Sequence, residues 1–271
     1  MGALDARGSL ARISIPGTHD SGARREVFPG ITTCQTLTIA EQLAAGVRYL
    51  DIRCRHARNS FEIYHGPVHQ RISFADVLND CVHFLNDNSS ECVIMSVKEE
   101  YMPLRNARSF ERTFDAYAAN DPDRWLLTGA VPTLGEASGK IVLLRRFKAA
   151  SAPKGIDATD WPVNATFAIG GSLARIRVQD EYIVRNNRDK WTAVQELHEE
   201  ARSGKDDTLY LNFTSGYRPG LFGFPNIPAV SNFINPAMAE YFTNNKSGAF
   251  GITVMDFADE RTCALIVGAN F

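Results

Sequence analysis

Eight short apolar runs, spread along the whole of a 271-residue chain and separated by longer segments, constrain this fold more than any other feature. They are ARISI (11–15), VRYLDIR (47–53), FEIY (61–64), CVIMSVK (92–98), KIVLLRR (140–146), ARIRVQD (174–180), LYLNFTS (209–215) and FGITVMD (250–256). Their Val, Ile, Leu, Phe and Tyr content suits strands. Several of the intervening segments carry helical periodicity. TIAEQLAAG fits a helix closed by Gly46, and SFADVLNDCVHFLNDN puts Phe74, Val77, Leu78, Cys81 and Leu85 on one face. ARSFERTFDAYAAN and DKWTAVQELHEEARSG, the latter ended by Gly204, extend the pattern. Strands alternating with helices predict a parallel sheet, and eight strands in this length predict an α/β fold closed into a single (β/α)8 TIM-type barrel. The interval between the second and third strands is too short for a helical crossover, so the barrel is expected to be irregular. No linker or repeat divides residues 1–271 into further domains.

Composition narrows the partners. With 29 basic and 31 acidic side chains the net charge is −2, so no long-range field favours nucleic acid, and an anion site must be local. A hydrophobic content of 44% supports one large core. No stretch is long and apolar enough to cross a membrane, and MGALDARGSL lacks the apolar stretch of a secretory signal. Cys34, Cys54, Cys81, Cys92 and Cys263 show no CxxC spacing, and an odd number cannot all pair, so buried free thiols are expected. The sequons at Asn88, Asn164, Asn212 and Asn245 are too short to fix a compartment.

Nearly every strand ends in polar side chains, and in a barrel those ends face one mouth. The set comprises His19 and Asp20, Asp51 and Arg53, His65, Lys98, Arg146, Asp180 with Tyr182, and Asp256. Two histidines can take a proton from a nucleophile and give one to a leaving group near neutral pH, which are the two tasks of phosphodiester cleavage. A guanidinium such as Arg53 suits the charge that builds on phosphoryl oxygens. Asp20 and Asp256 are the carboxylates available to orient the histidines. His56, His69, His83 and His198 read most simply as surface or helix-face residues, and Trp125, Trp161 and Trp191 as fillers between helices and barrel.

The stretches ISIPGTHDSG, GVRYLDIRCR, EIYHGP, FLNDNSSECVIMSVKEE, GKIVLLRRF, VQDEYIV, LNFTS, INPAMAEY and VMDFADER, in that order, resemble the bacterial phosphatidylinositol-specific phospholipase C family, whose catalytic half resembles the X region of eukaryotic phospholipases C. The resemblance implies a phosphatidylinositol diacylglycerol-lyase that needs no metal or other cofactor. His19 would be the general base oriented by Asp256, His65 the general acid assisted by Asp20, and Arg53 the contact to phosphate. Lys98, Arg146, Asp180 and Tyr182 match the inositol pocket, with Arg146 preferred to Arg145 by strand phase. Implied partners are phosphatidylinositol in membranes, met peripherally and transiently, and GPI anchors as a further candidate. A monomer acting outside the cell, its leader absent from this chain, completes the expectation, with a cytoplasmic site as the alternative.

Family members carry exposed tryptophans on the lipid side that this sequence lacks at those places. Phe28 and Ile31 in REVFPGITT, and Leu221, Phe222 and Phe224 in SGYRPGLFGFPNIP, are the candidate membrane contacts. The second segment reads equally as a lid packed on its own barrel. The rival readings are a calcium-dependent phospholipase C, disfavoured by Arg53, a glycerophosphodiester phosphodiesterase, which needs a carboxylate cluster there, and an inactive lipid-binding relative.

Overall fold

A computed structural model describes residues 1–171, 173–204, 207–220 and 223–271. In chain order the strands are β1 (Ile15–Thr18), β2 (Tyr49–Ala57), β3 (Ser60–His65), β4 (Val68–Ser73), β5 (Val93–Glu99), β6 (Trp125–Leu126), β7 (Ile141–Arg146), β8 (Ile156–Asp157), β9 (Ala165–Gly170), β10 (Arg175–Asp180), β11 (Thr208–Phe213), β12 (Arg218–Pro219), β13 (Pro225–Asn226) and β14 (Ile252–Met255). The helices are α1 (Ile39–Ala44), α2 (Phe74–Asp87), α3 (Phe110–Ala118), α4 (Leu134–Ala137), α5 (Asn187–Ser203), α6 (Pro228–Asn244) and α7 (Glu260–Gly268).

One sheet runs β6-β7-β5-β2-β1-β14-β11-β10-β9, with β8 on β7 and the β3–β4 pair hanging from β2. From β6 to β10 its neighbours are parallel, whereas β9 is antiparallel to β10. Among the described residues no ladder joins β9 back to β6, β7 or β8, so the sheet is an α/β barrel curled but left open on one side. The irregularity expected after β2 is a meander. The second half of β2 pairs antiparallel with β3 through Cys54↔Ile63, and the return strand brings His65 back to the barrel mouth.

Strand phase sorts the side chains. Ile15, Tyr49, Ile94, Val142, Leu144, Ile176, Val178, Ile252 and Val254 belong to one apolar cluster filling the barrel, while Leu50, Ile52, Met95, Val97, Ile141 and Leu143 belong to another beneath the helices. Extending the inward phase to each strand's C-terminal end reaches His19, Asp51 and Arg53, Lys98, Arg146, Asp180 and Asp256. The floor of the barrel is thus dry and its mouth polar. Gly17 stands in that phase, and glycine suits the position because a Cβ there would meet the Tyr49 ring at 2.9 Å.

Capping boxes at Thr38/Glu41, Ser73/Asp76 and Thr133/Glu136 start α1, α2 and α4. Each cap contributes about 1 kcal/mol and fixes where the loop before it must end. Phe74, Val77, Cys81 and Leu85 of α2 are buried as the periodicity predicted, with Leu78 packed at the margin.

Several expectations are corrected. Residues 11–15 do not form the first strand. The Ser9 hydroxyl accepts from Ala11 N–H and starts a 3-10 turn that drops Leu10 and Ala11 into the barrel floor, and the strand begins only at Ile15. His56 lies on β2, buried, where its Nε2 meets Thr113 Oγ1 at 2.8 Å; His198 is a helix-face residue, but on the buried face of α5, where it stacks on Tyr241 with its pKa pushed down to about 4 by burial. All five cysteines are free and buried.

Candidate active site

The polar strand ends line a single cavity of ≈ 510 Å³ that takes in His19, Arg53, His65, Lys98, Arg146, Asp180, Tyr182 and Asp256. At its centre His19 Nδ1 lies 2.8 Å from Asp256 Oδ1, and Arg53 Nη2 lies 2.7 Å from His19 Nε2. A guanidinium can only donate, so Nε2 carries the lone pair and Nδ1–H donates to Asp256. Burial alone would depress the His19 pKa, but Asp256, with a smaller contribution from Asp51, outweighs both burial and Arg53 and holds it above the usual histidine value. This is a base whose free nitrogen already points at a cation.

Arg53 is gripped from behind. Its Nε donates to Asp51 Oδ2 at 3.1 Å, Nη2 lies 3.0 Å from the same oxygen, and Nη1 stands 3.6 Å from Asp20 Oδ2. Asp51 is fully buried and also receives Asp20 N–H at 3.2 Å and Arg146 Nη1 at 3.4 Å. Burial works against its charge, yet the two guanidiniums prevail and hold its carboxyl well below the ordinary range.

His65 differs from the expected arrangement in one respect. Its Nδ1 donates to the Thr32 carbonyl at 2.9 Å, while Asp20 Oδ2 is 3.8 Å away. Both Asp20 oxygens are buried without a hydrogen-bond partner among the described residues. Burial, which exceeds the pull of Arg53 and His65, raises the Asp20 pKa. Asp20 adopts φ 40°, a left-handed conformation that directs it inward from the end of β1.

Beyond the histidines the cavity wall is suited to a polyol. Lys98 Nζ donates to Glu100 Oε2 at 3.0 Å, and Glu100 in turn receives Gly66 N–H beside His65 at 3.1 Å. The Arg146 guanidinium lies 3.7 Å from the Trp161 ring centroid, and Trp161 Nε1 donates to Asp180 Oδ2 at 2.8 Å. Trp161 is therefore a wall of the cavity rather than a filler between helix and barrel. It lies in an irregular stretch where periodicity gives no signal. Arg145, one residue from Arg146 and opposite in phase, turns away to Lys154 O, Phe147 O and Asp157.

At the rim, Phe28 and Phe224 are exposed at 63% and 58%, whereas Ile31 faces the cavity. Leu221 and Phe222 lie outside the described residues. Tyr217, Pro225 and Ile227 of the same segment line the cavity, so the segment supplies a wall as well as the exposed Phe224.

Two triads could in principle hold a metal: His19, Cys34 and Asp256, and Asp20, Cys34 and His65. Both need the Cys34 thiolate, and burial raises that thiol's pKa well above its ordinary value. Both also need histidine nitrogens already donating to Asp256 and to Thr32 O.

Comparison with known proteins follows the same lines. The family model "Phosphatidylinositol-specific phospholipase C, X domain" matches residues 19–147, which run from the residue after β1 to the residue after β7. The 1-phosphatidylinositol phosphodiesterase of Staphylococcus aureus (strain Newman) is 32% identical over 275 residues, covering 95% of this chain and 87% of that protein. The protein of the same name from Listeria monocytogenes is 28% identical over 288 residues, covering 100% and 84%. A crystal structure of a pentafluoro-Phe variant of the S. aureus phosphatidylinositol-specific phospholipase C superposes with a TM-score of 0.89 at 29% identity, covering 99% of this chain and 96% of that one.

Proposed function

The chain belongs to the phosphatidylinositol-specific phospholipase C family, and from that premise we propose that it cleaves phosphatidylinositol to diacylglycerol and 1,2-cyclic inositol phosphate by general acid–base catalysis without a metal. The carrying observation is the His19–Asp256 pair with its free Nε2 pointing at Arg53. The inositol 2-hydroxyl gives its proton to His19 Nε2 and its oxygen attacks phosphorus. His65 Nε2 delivers a proton to the glycerol oxygen as its bond to phosphorus breaks. Arg53 exchanges its contact with His19 for a phosphoryl oxygen and neutralises the charge that builds there. With roles reversed, His65 takes a proton from water and His19 returns one to the 2-oxygen, opening the cyclic product.

The remaining residues fit this assignment. Lys98 and Arg146 donate to ring hydroxyls, Asp180 accepts, and the Tyr182 ring offers a face to the ring carbons. Arg53 also speaks against a calcium-dependent enzyme. It fills the space between Asp51 and Asp20 that a divalent ion would need, and its fixed charge supplies what the ion would. Phe28 and Phe224 stand at the rim, where burying the exposed part of each ring in a lipid surface would stabilise docking by about 1–2 kcal/mol each. Glycosylated inositol lipids share the same headgroup and are proposed as further substrates, with the chain acting as a single catalytic unit. Phosphorus NMR of chelator-treated enzyme with phosphatidylinositol vesicles tests the reading. The cyclic phosphate signal is expected first, and direct formation of an acyclic monophosphate would overturn it.

A further inference from the structure

One segment touches both members of the acid–base pair. Gln35 Nε2 donates to the carbonyls of His19 and Met255 at 2.9 and 2.8 Å, which fixes the backbone under the base. Three residues earlier the Thr32 carbonyl holds His65 Nδ1 at 2.9 Å, and Cys34 Sγ lies 3.9 Å from the same nitrogen. A carbonyl at 2.9 Å is a hydrogen bond and a carboxylate at 3.8 Å is not, so in the free enzyme Thr32, not Asp20, sets the direction of the His65 ring. That leaves Nε2 as the nitrogen available to a leaving group.

The backbone that carries this carbonyl is anchored on both sides: Cys34 N–H and Gln35 N–H donate to Ala23 O at 2.8 and 3.1 Å, and a side chain holds Thr32 itself. Glu26 receives Gly30 N–H at 3.0 Å, Thr32 N–H at 3.1 Å and the Thr32 hydroxyl at 3.0 Å. Although what burial it has opposes its charge, these donors prevail and hold its carboxyl below the usual range. Val27 N–H closes the turn on Thr32 Oγ1 at 3.1 Å. The Thr32 hydroxyl also lies 2.9 Å from Arg25 O, so its one proton is shared between two acceptors; without the carboxylate the Thr32 N–H loses its acceptor, and the backbone angles of Thr32 that aim its carbonyl at His65 lose their anchor on that side.

We propose that Glu26 is a positioning residue for the general acid: it locks the Thr32 carbonyl that aims His65 at the leaving group. This rests on His65 being the acid. It differs from a structural role in predicting damage that depends on the leaving group, because a glycerol oxygen needs a proton and a nitrophenolate does not.

The test uses Glu26→Gln and Glu26→Ala on phosphatidylinositol and on a nitrophenyl ester of inositol phosphate, with His65→Leu as reference. For Glu26→Ala, turnover of phosphatidylinositol is expected to fall about tenfold or more while the nitrophenyl ester stays within about twofold; Glu26→Gln, whose amide oxygen can still accept from Thr32, should keep most of the phosphatidylinositol rate. Equal losses on both substrates, or no loss on either, in Glu26→Ala would overturn the role of Glu26. If His65→Leu itself loses both activities equally, the acid assignment fails and takes this inference with it. If His65→Leu discriminates and Glu26→Ala does not, Glu26 alone is wrong.

Discussion

Replacing Asp256 with Asn probes the base through a conflict built into its surroundings. Asp256 accepts twice, from His19 Nδ1–H on Oδ1 at 2.8 Å and from Gly216 N–H on Oδ2 at 3.2 Å. An amide has only one oxygen. If it stays on Gly216, the amide NH₂ faces Nδ1, the imidazole must move its proton to Nε2, and that proton then opposes Arg53 Nη2 at 2.7 Å. If the amide flips instead, its NH₂ confronts the buried Gly216 N–H. Either way one buried donor is left unsatisfied, at about 1–3 kcal/mol, and a charge-assisted bond of about 1.5–3 kcal/mol is lost. A total of roughly 3–5 kcal/mol predicts turnover slower by about 10²–10⁴. Asp256→Ala, which imposes no wrong tautomer, should be no worse than Asp256→Asn. Because Asp256 raises the His19 pKa, the acidic limb of the rate profile should also move to lower pH in both variants. Steady-state turnover of phosphatidylinositol in mixed micelles between pH 4 and pH 9 measures all three. Retention within about fivefold of the parent rate, or an acidic limb that stays in place, would refute the orienting role.

Asp20→Asn should raise thermal stability while lowering activity. A carboxyl whose folded pKa is raised loses stability as pH climbs past the ordinary carboxylate value, so removing its charge should lift the melting temperature at neutral pH by about 2–4 °C per kcal/mol regained; a lower melting temperature in calorimetry would contradict this. Arg53→Asp should cost about 10²–10³ in metal-free turnover and recover part of it with added calcium, since a third carboxylate would join Asp51 and Asp20. Unchanged activity in chelator would sink the role given to Arg53.

That the polar strand-end residues gather in one cavity was legible because strand phase is a period of two. In Ile15-Gly17-His19, Tyr49-Asp51-Arg53 and Ile252-Val254-Asp256, apolar residues below and polar ones above share one face, and the same rule separates Arg146 from Arg145. Residues placed by loops were not legible. Trp161, Thr32 and Gln35 reach the site from irregular backbone, where neighbours in sequence say nothing about direction. Helix α6 was hidden by Pro236, which reads as a breaker yet sits inside the helix; the preceding Asn235 donates to the Asp256 carbonyl at 2.9 Å. Strand β4, VHQRIS, carries His69, Gln70 and Arg71 and lacks the apolar density that marked the others, while β9 alternates half-buried and exposed residues and puts Thr166 and Gly170 on its exposed face. The preference for Thr32 over Asp20 as the partner of His65 is a matter of an ångström, which no spacing encodes.

The most direct measurement of the acid–base pair is the turnover of His65→Leu on two substrates that differ only in the leaving group. Loss of about 10²–10⁴ on phosphatidylinositol with most activity kept on the nitrophenyl ester is the predicted result. The same loss on both would contradict the assignment of His65 as the acid.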